Sequence, residues 1–388
     1  MPVFKLFNPE RKSVVIFDYE GSEAIGKMAL GDIDYGILHS RGELVYVTPQ
    51  ILGRMAVNMK YFRRMRFGAP MDWYHPSKLL RQFAGRLYRI YLLSCVQYMR
   101  PKVVITFIDN SYAFQLISRI YNKAKFIAVQ NGIRRRWNLK DSLAPVPLPG
   151  SIISMPMLVC FGQYDVELFK RCHHQIDYYH PLGALKAGYY KSVLSKRNGV
   201  YEFDVCLISE WDEAIASGGF LPAFGKGLTV MNGFLSRYLK EEKRTGCVAL
   251  RSNNKKEKDY FLSQLGGQMT LVDNNSNELT SYNTVDRSRV SISLVSTLAY
   301  EAFGWGARVL FCNFTGDDQY DFPSPGIWST SEGHYESFKA KLDLLMTVSQ
   351  EEYRWKTKEA AAYVMNNTTA IPPHEFIRKL VLEQIEAP

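Results

Sequence analysis

The stretch RVSISLVSTLAYEAFGWGARVLFCN (289–313) places an apolar run, a Ser-Thr pair, a short helical pattern carrying Glu301, a Gly-Trp-Gly break and a second apolar run in succession. Apolar runs of about four to eight residues that do not alternate suit strands buried on both faces. A helix joining two such strands is the crossover of a parallel pair. The stretch therefore reads as a β-α-β unit, and the same rhythm recurs along the chain.

Upstream, short apolar runs occur at SVVIFDYEG (13–21), YGILHS (35–40), LVYVT (44–48), VVITFIDN (103–110), FIAVQNG (126–132), MLVCFG (157–162) and IDYYHPLG (176–183). Helix-length segments separate them, notably 77–99, where Leu79, Leu80, Phe83, Leu87, Ile90 and Leu93 recur at helical spacing. The pattern lapses at 185–203 and restarts with DVCLISEWDE (204–213), CVALRS (247–252) and MTLVD (269–273), with helices around 234–242 and 256–265. These runs predict an α/β protein of two Rossmann-like, doubly wound domains facing across a cleft, over 1–190 and 200–350. Helices follow over 351–388, which could pack back on the first domain.

A chain of 388 residues suits two domains, and its apolar fraction of 46% fits a globular protein. Its longest apolar runs, VVITFI and MLVCFG, are far shorter than the roughly 20 residues of a membrane span. The N-terminal sequence lacks a signal-peptide pattern, so a cytoplasmic protein is expected. Cys95, Cys160, Cys172, Cys206, Cys247 and Cys312 stand singly, without zinc-site spacing, and read as reduced core residues. The formal charge of +10 suits an anionic partner. Its basic clusters (Arg63-Arg64-Arg66, Arg134-Arg135-Arg136 and Lys255-Lys256-Lys258) are ordinarily solvated surface. A basic module for nucleic acid or an anionic surface is the non-enzyme alternative, although carboxylates at the strand ends would repel phosphates.

In doubly wound sheets ligands sit beyond the carboxyl ends of the strands. In the second domain that position holds Ser296 and Thr297, where a helix N-terminus attracts anions, with Glu301 four residues after Thr297 on the same face. The hydroxyl end suits a phosphate and the carboxylate suits ribose hydroxyls. Alternatively, Glu301 only complements the helix dipole. LISEWDE brings Glu210, Asp212 and Glu213 directly after a buried strand, and Arg251 ends another as a candidate anion clamp. In the first domain the strand ends carry Asp18, Glu20, Asp109, Gln130, Asn131 and Gly132, the last allowing a left-handed turn. HPLG adds His180 and Gly183, with His180 either a site residue or an ordered turn histidine. No GxGxxG follows a first strand, no P-loop occurs, and no metal ligand set is present in the sequence; Asp317-Asp318 reads as a turn.

Together QNG, HPLG, SEWDE and STLAYEAFGWG resemble bacterial surface-polysaccharide glycosyltransferases of the GT-B fold. The likeness is greatest to the retaining β-Kdo transferases of capsule and lipopolysaccharide assembly, which use an activated 3-deoxy-octulosonic acid (Kdo). The resemblance implies an N-terminal acceptor domain, a C-terminal donor domain and a metal-independent transfer from a nucleotide sugar, CMP-Kdo, to a glycan or lipid-linked glycan. No cofactor besides the donor is implied. It places Ser296 and Thr297 at the donor phosphate, Glu301 at the ribose and Arg251 nearby. Relatives often carry Lys-Pro-His-Pro after the strand that here ends LRSNN. A carboxylate nucleophile is implied, with Asp212 first and Glu210 and Glu213 behind it. The alternatives are an inverting transferase using a UDP-, GDP- or CDP-linked donor and a polyol-phosphate transferase. Basic and aromatic residues in 61–67 suit a peripheral contact with the inner membrane.

Overall fold

Val14, Val15, Ile16 and Phe17 form a strand with no polar side chain and no exposed position. That burial on both faces governs the architecture. The computed structural model describes residues 3–17, 22–65, 76–134, 152–195, 200–216, 221–367 and 369–386. The chain divides into two compact units, one of residues 1–161, 165–186 and 370–388 and the other of 162–164 and 187–369.

In the first unit the strands are β1 (Val3–Lys5), β2 (Val14–Phe17), β3 (Tyr35–Leu38), β4 (Leu44–Tyr46), β5 (Val103–Thr106), β6 (Lys125–Val129), β7 (Ser154–Cys160) and β8 (Gln175–Pro181). All pairings are parallel, in the order β3-β2-β5-β6-β7-β8, while β1 and β4 form a separate parallel pair. The order reverses between β2 and β5, as in a doubly wound sheet. Val14, Ile16, Val103, Ile105, Ile127 and Val129 share a core with Ala29 and Leu30 of helix Ser22–Leu30. Ile377 and Val381 of the final helix, Pro373–Glu386, complete it. The preceding helix, Gln350–Val364, belongs to the second unit.

The second unit contains β9 (Phe203–Ile208), β10 (Gly246–Ala249), β11 (Met269–Val272), β12 (Ser288–Ser293), β13 (Val309–Cys312) and β14 (Ser329–Thr330). Its parallel sheet has the order β11-β10-β9-β12-β13-β14, so the chain reverses direction across the sheet between β9 and β12. In such a sheet that switch point is where the crevice opens at the carboxyl edge. Helix Thr297–Gly304 packs its Tyr300 and Phe303 rings on Phe311 and Phe322, with centroids 4.8–5.9 Å apart. Both predicted sheets are present. β1 and β14 were not predicted, because three and two residues carry too little periodicity to stand out.

Two positions test this packing. A Cβ at Gly162 would lie 2.2 Å from the Tyr363 carbonyl oxygen, which belongs to backbone and cannot rotate aside. Gly162→Ala should lower stability by at least about 2 kcal/mol in urea denaturation. His174 is buried, accepts a hydrogen bond from the Ile153 amide (3.0 Å) and touches Phe169 edge-on. Burial, and then the charge of His173, lower its pKa from 6.5 to about 4. The folded protein therefore binds this proton less tightly than the unfolded chain does. Stability should be intact above pH 6.5 and fall progressively towards pH 4. His174→Gln should flatten the slope of urea stability against pH in that window.

Candidate functional site

The carboxyl end of β9 is Ser209-Glu210, and both side chains turn inward. Ser209 donates its hydroxyl to Glu257, which is wholly buried in the first turn of helix Lys255–Leu265. The same carboxylate accepts the Arg251 amide, the Ser252 amide and the Ser252 hydroxyl, each at 2.8 Å. Glu257 thus binds the end of β10 to the end of β9. Glu210 performs the corresponding task on the other side: it accepts the Ser293 hydroxyl and, at 2.7 Å, the Val295 amide, joining β9 to β12. The Ser293 oxygen in turn accepts the Ser296 amide at 2.9 Å.

These bonds fix the start of helix Thr297–Gly304 at the switch point. Ser296 occupies its N-cap with φ −58° and ψ 136°, and its hydroxyl makes no capping bond. The helix dipole and first-turn amides therefore form a positive end at the carboxyl edge of the sheet. Glu301 is 4% exposed and interacts with Tyr282 of helix Thr280–Asp286. Burial first, and then the charge and hydrogen bond of Glu301, hold the Tyr282 hydroxyl well above its ordinary pKa. Tyr282 also lies 5.7 Å from the Tyr190 ring and 5.8 Å from Trp305. The carboxylate expected to meet ribose is thus lodged beneath the helix surface against a tyrosine.

Of the other two expected carboxylates, Asp212 is half-buried and Glu213 exposed. Asp212 accepts the Ala214 amide at 2.9 Å and lies 3.8 Å from the Arg251 guanidinium, which also donates to the Trp211 carbonyl at 3.3 Å. Glu213 pairs with Lys256 on the surface. Trp211, Asp212, Glu213, Arg251, Ser252 and Asn254 line a cavity of 590 Å³. The LISEWDE carboxylates thus differ in their partners: Glu210 accepts from the end of β12, whereas Asp212 pairs with Arg251 at this cavity.

In the first unit Asp109, Gln130, Asn131 and Gly132 come together. Asp109 is buried and accepts the Arg134 fork and the Asn131 amide (3.2 Å), while Arg134 also donates to Asn131 at 2.9 Å. Gln130 bridges the Gly132 carbonyl and Asp165, each at 2.9 Å, and accepts the Phe161 amide at 3.3 Å. The left-handed glycine of this edge is Gly183 (φ 88°), and not Gly132 as the sequence suggested. His180 stacks obliquely on Phe376 at 5.1 Å, and burial followed by the charge of Lys125 lowers its pKa. Asp18 and Glu20 lie outside the described residues, as do Arg66, Arg135 and Arg136. Among the described residues no group of His, Cys, Asp or Glu has the geometry of a metal site. Asp317 caps a turn through the Gln319 amide at 3.1 Å.

Sequence reading missed Glu257, Asp165 and Tyr282. The first had a signal: Asn254 followed three residues later by Glu257 has the spacing of a capping box. Asn254 does cap the helix through the Lys256 amide at 2.9 Å, but Glu257 turns to the strand ends.

No protein-family model and no curated protein matches the chain in sequence. Solved structures do match in fold. UDP-GlcNAc 2-epimerase from Neisseria meningitidis, bound to UDP-GlcNAc, superposes with a TM-score of 0.54 at 13% identity, covering 96% of this chain and 99% of that one. The MnaA–UDP structure from S. aureus gives 0.53 at 12% identity over 97% and 96% of the two chains. A UDP-forming α,α-trehalose-phosphate synthase from Burkholderia xenovorans gives 0.50 at 11% over 96% and 98%. At these identities the likeness is one of fold, two Rossmann-like units of the GT-B type.

The two kinds of carboxylate should separate in stability measurements. Glu257→Ala leaves the Ser209, Arg251 and Ser252 donors without their acceptor and should cost about 3–5 kcal/mol in urea denaturation. Glu213→Ala removes an exposed ion pair and should cost less than about 1 kcal/mol.

Proposed function

We propose that the chain is a glycosyltransferase that moves a sugar from a nucleotide donor onto a glycan or lipid-linked acceptor. The observation that carries this reading is the N-terminus of helix Thr297–Gly304, fixed at the switch point of the second unit's sheet by Glu210, with the Ser296 hydroxyl uncommitted to capping. An anionic donor phosphate fits there without a metal, because helix amides and dipole stabilise the charge that grows as the nucleotide leaves. Arg251, at the end of β10 with β9 between it and β12, offers a second cationic contact. Asp212 is the carboxylate open to solvent beside it and is assigned as the reacting acid, either attacking the anomeric carbon or accepting the proton of the acceptor hydroxyl.

Two donor classes are carried forward. The sequence resemblance favours CMP-Kdo and retaining transfer. The solved neighbours named for UDP-GlcNAc and UDP favour a uridine donor. The resemblance assigns Glu301 to the ribose. The strand-end polar set of the first unit, Asp109, Asn131 and His180, is assigned to the acceptor. A lipid-linked acceptor accords with the proposed peripheral contact at the inner membrane.

Calorimetric titration with CMP, UDP, CDP and GDP should give binding to one base in preference to the others. Arg251→Ala should weaken it by about tenfold or more. Asp212→Asn should leave that affinity intact while removing transfer from the corresponding sugar nucleotide. Failure of all four nucleotides to bind would overturn the proposal, and unchanged turnover in Asp212→Asn would remove the residue's role.

A further inference from the structure

Helix Pro49–Asn58 is amphipathic the wrong way round for a free surface. Its buried positions are Ile51 and Asn58. Asn58 is 1% exposed and donates to Ser94 and Gln97, each at 2.9 Å, from the helix Pro76–Met99. The outward face is apolar: Leu52 is 51% exposed and Val57 65%, with Gly53 and Ala56 between them. A polar side chain is thus buried while a continuous apolar stripe is left in water, the reverse of ordinary surface helices.

The stripe does not end with the helix. Met59, just beyond it, is 42% exposed. In β1, whose partner β4 leads through the Thr48 cap into the helix, Phe4 is 63% exposed, and Leu6 and Phe7 follow at 82% and 62%. Thr48 also donates to Asn8 at 2.5 Å, so this segment and the helix start are directly joined.

Charge identifies what covers the stripe. From Leu44 to Met71 the sequence contains no Asp or Glu, while Lys60, Arg63 and Arg64 are exposed at the end of the helix. A predominantly cationic border around inserted apolar side chains, with exposed Glu43 the acid beside β1, matches an anionic lipid surface, where the apolar groups enter the acyl boundary and the cations meet the headgroups. Nucleic acid would meet the cations but leave the apolar face in water. We infer that the Pro49–Asn58 helix, with Phe4, Leu6 and Phe7, is an in-plane docking surface for an anionic bilayer. This surface is separate from the strand-end chemistry of the second unit and stands whether or not the transfer reading does. No helix among the described residues is long and apolar enough to cross the membrane, so the contact is peripheral.

The test is co-sedimentation of the full chain with vesicles of phosphatidylcholine alone and of phosphatidylcholine mixed with phosphatidylglycerol. The variants are Leu52→Glu/Val57→Glu, which spoils the apolar stripe, and Lys60→Glu/Arg63→Glu/Arg64→Glu, which reverses its border. All five side chains are exposed, so circular dichroism should show both variants folded. The wild type should partition onto the phosphatidylglycerol vesicles, less so at high salt, and each variant should lose about tenfold or more of that partition. No partition, wild-type partition by either variant, or equal binding to the neutral vesicles would overturn the inference. So would a wild-type dimer that the Leu52→Glu/Val57→Glu variant converts to monomer without vesicle binding, which would assign the stripe to a second copy.

Discussion

Two carboxylates, the buried Glu257 and the half-buried Glu210, hold the carboxyl edge of the second unit's sheet together. Burying an ionised carboxylate is costly unless hydrogen bonds fill its lone pairs. Glu257 meets that condition with the Ser209 hydroxyl, two backbone amides and the Ser252 hydroxyl. Half-buried Glu210 accepts the Ser293 hydroxyl and the Val295 amide on one carboxylate oxygen. Because Ser209 and Glu210 are consecutive, the end of β9 is the common anchor of three strand ends. The position of Arg251 on one side and the start of helix Thr297–Gly304 on the other follow from it.

The first unit uses the same device with different residues. Asp109, at the end of β5, is filled by Arg134 and the Asn131 amide, and Gln130 is held between Asp165, Gly132 and Phe161. In both units an acidic side chain following a buried strand serves first to order the loops. The acid proposed to react is instead a group the network leaves at the surface. By that criterion Asp212, half exposed and 3.8 Å from a guanidinium, differs from Glu210 although only two residues separate them.

The parallel sheets were legible in the sequence because strands buried on both faces leave unbroken apolar runs such as VVIF and VVIT. The identity of the strand-end residues was legible for the same reason, since the run's end marks the sheet's edge. Their roles were less so. Glu210 and Asp212 look alike in sequence and are both half-buried; their partners tell them apart, the end of β12 for Glu210 and the Ala214 amide and Arg251 for Asp212. The spacing of Glu301 to Thr297 was legible, but its contact with Tyr282, a residue 19 positions earlier, was not. The exposed apolar helix was invisible for the opposite reason: ILGRMAVN has an ordinary helical composition, and only the structure shows that its apolar face points outward.

The central claim is that the strand ends anchored on Ser209-Glu210 form the nucleotide site. Amide hydrogen exchange with and without the nucleotide that binds tests it most directly. Protection should rise in 209–214, 251–254 and 295–300, and Glu210→Gln should abolish the rise in the last of these while leaving the sheet core protected. Protection confined to other segments, or a Glu210→Gln response identical to the wild type, would contradict the account.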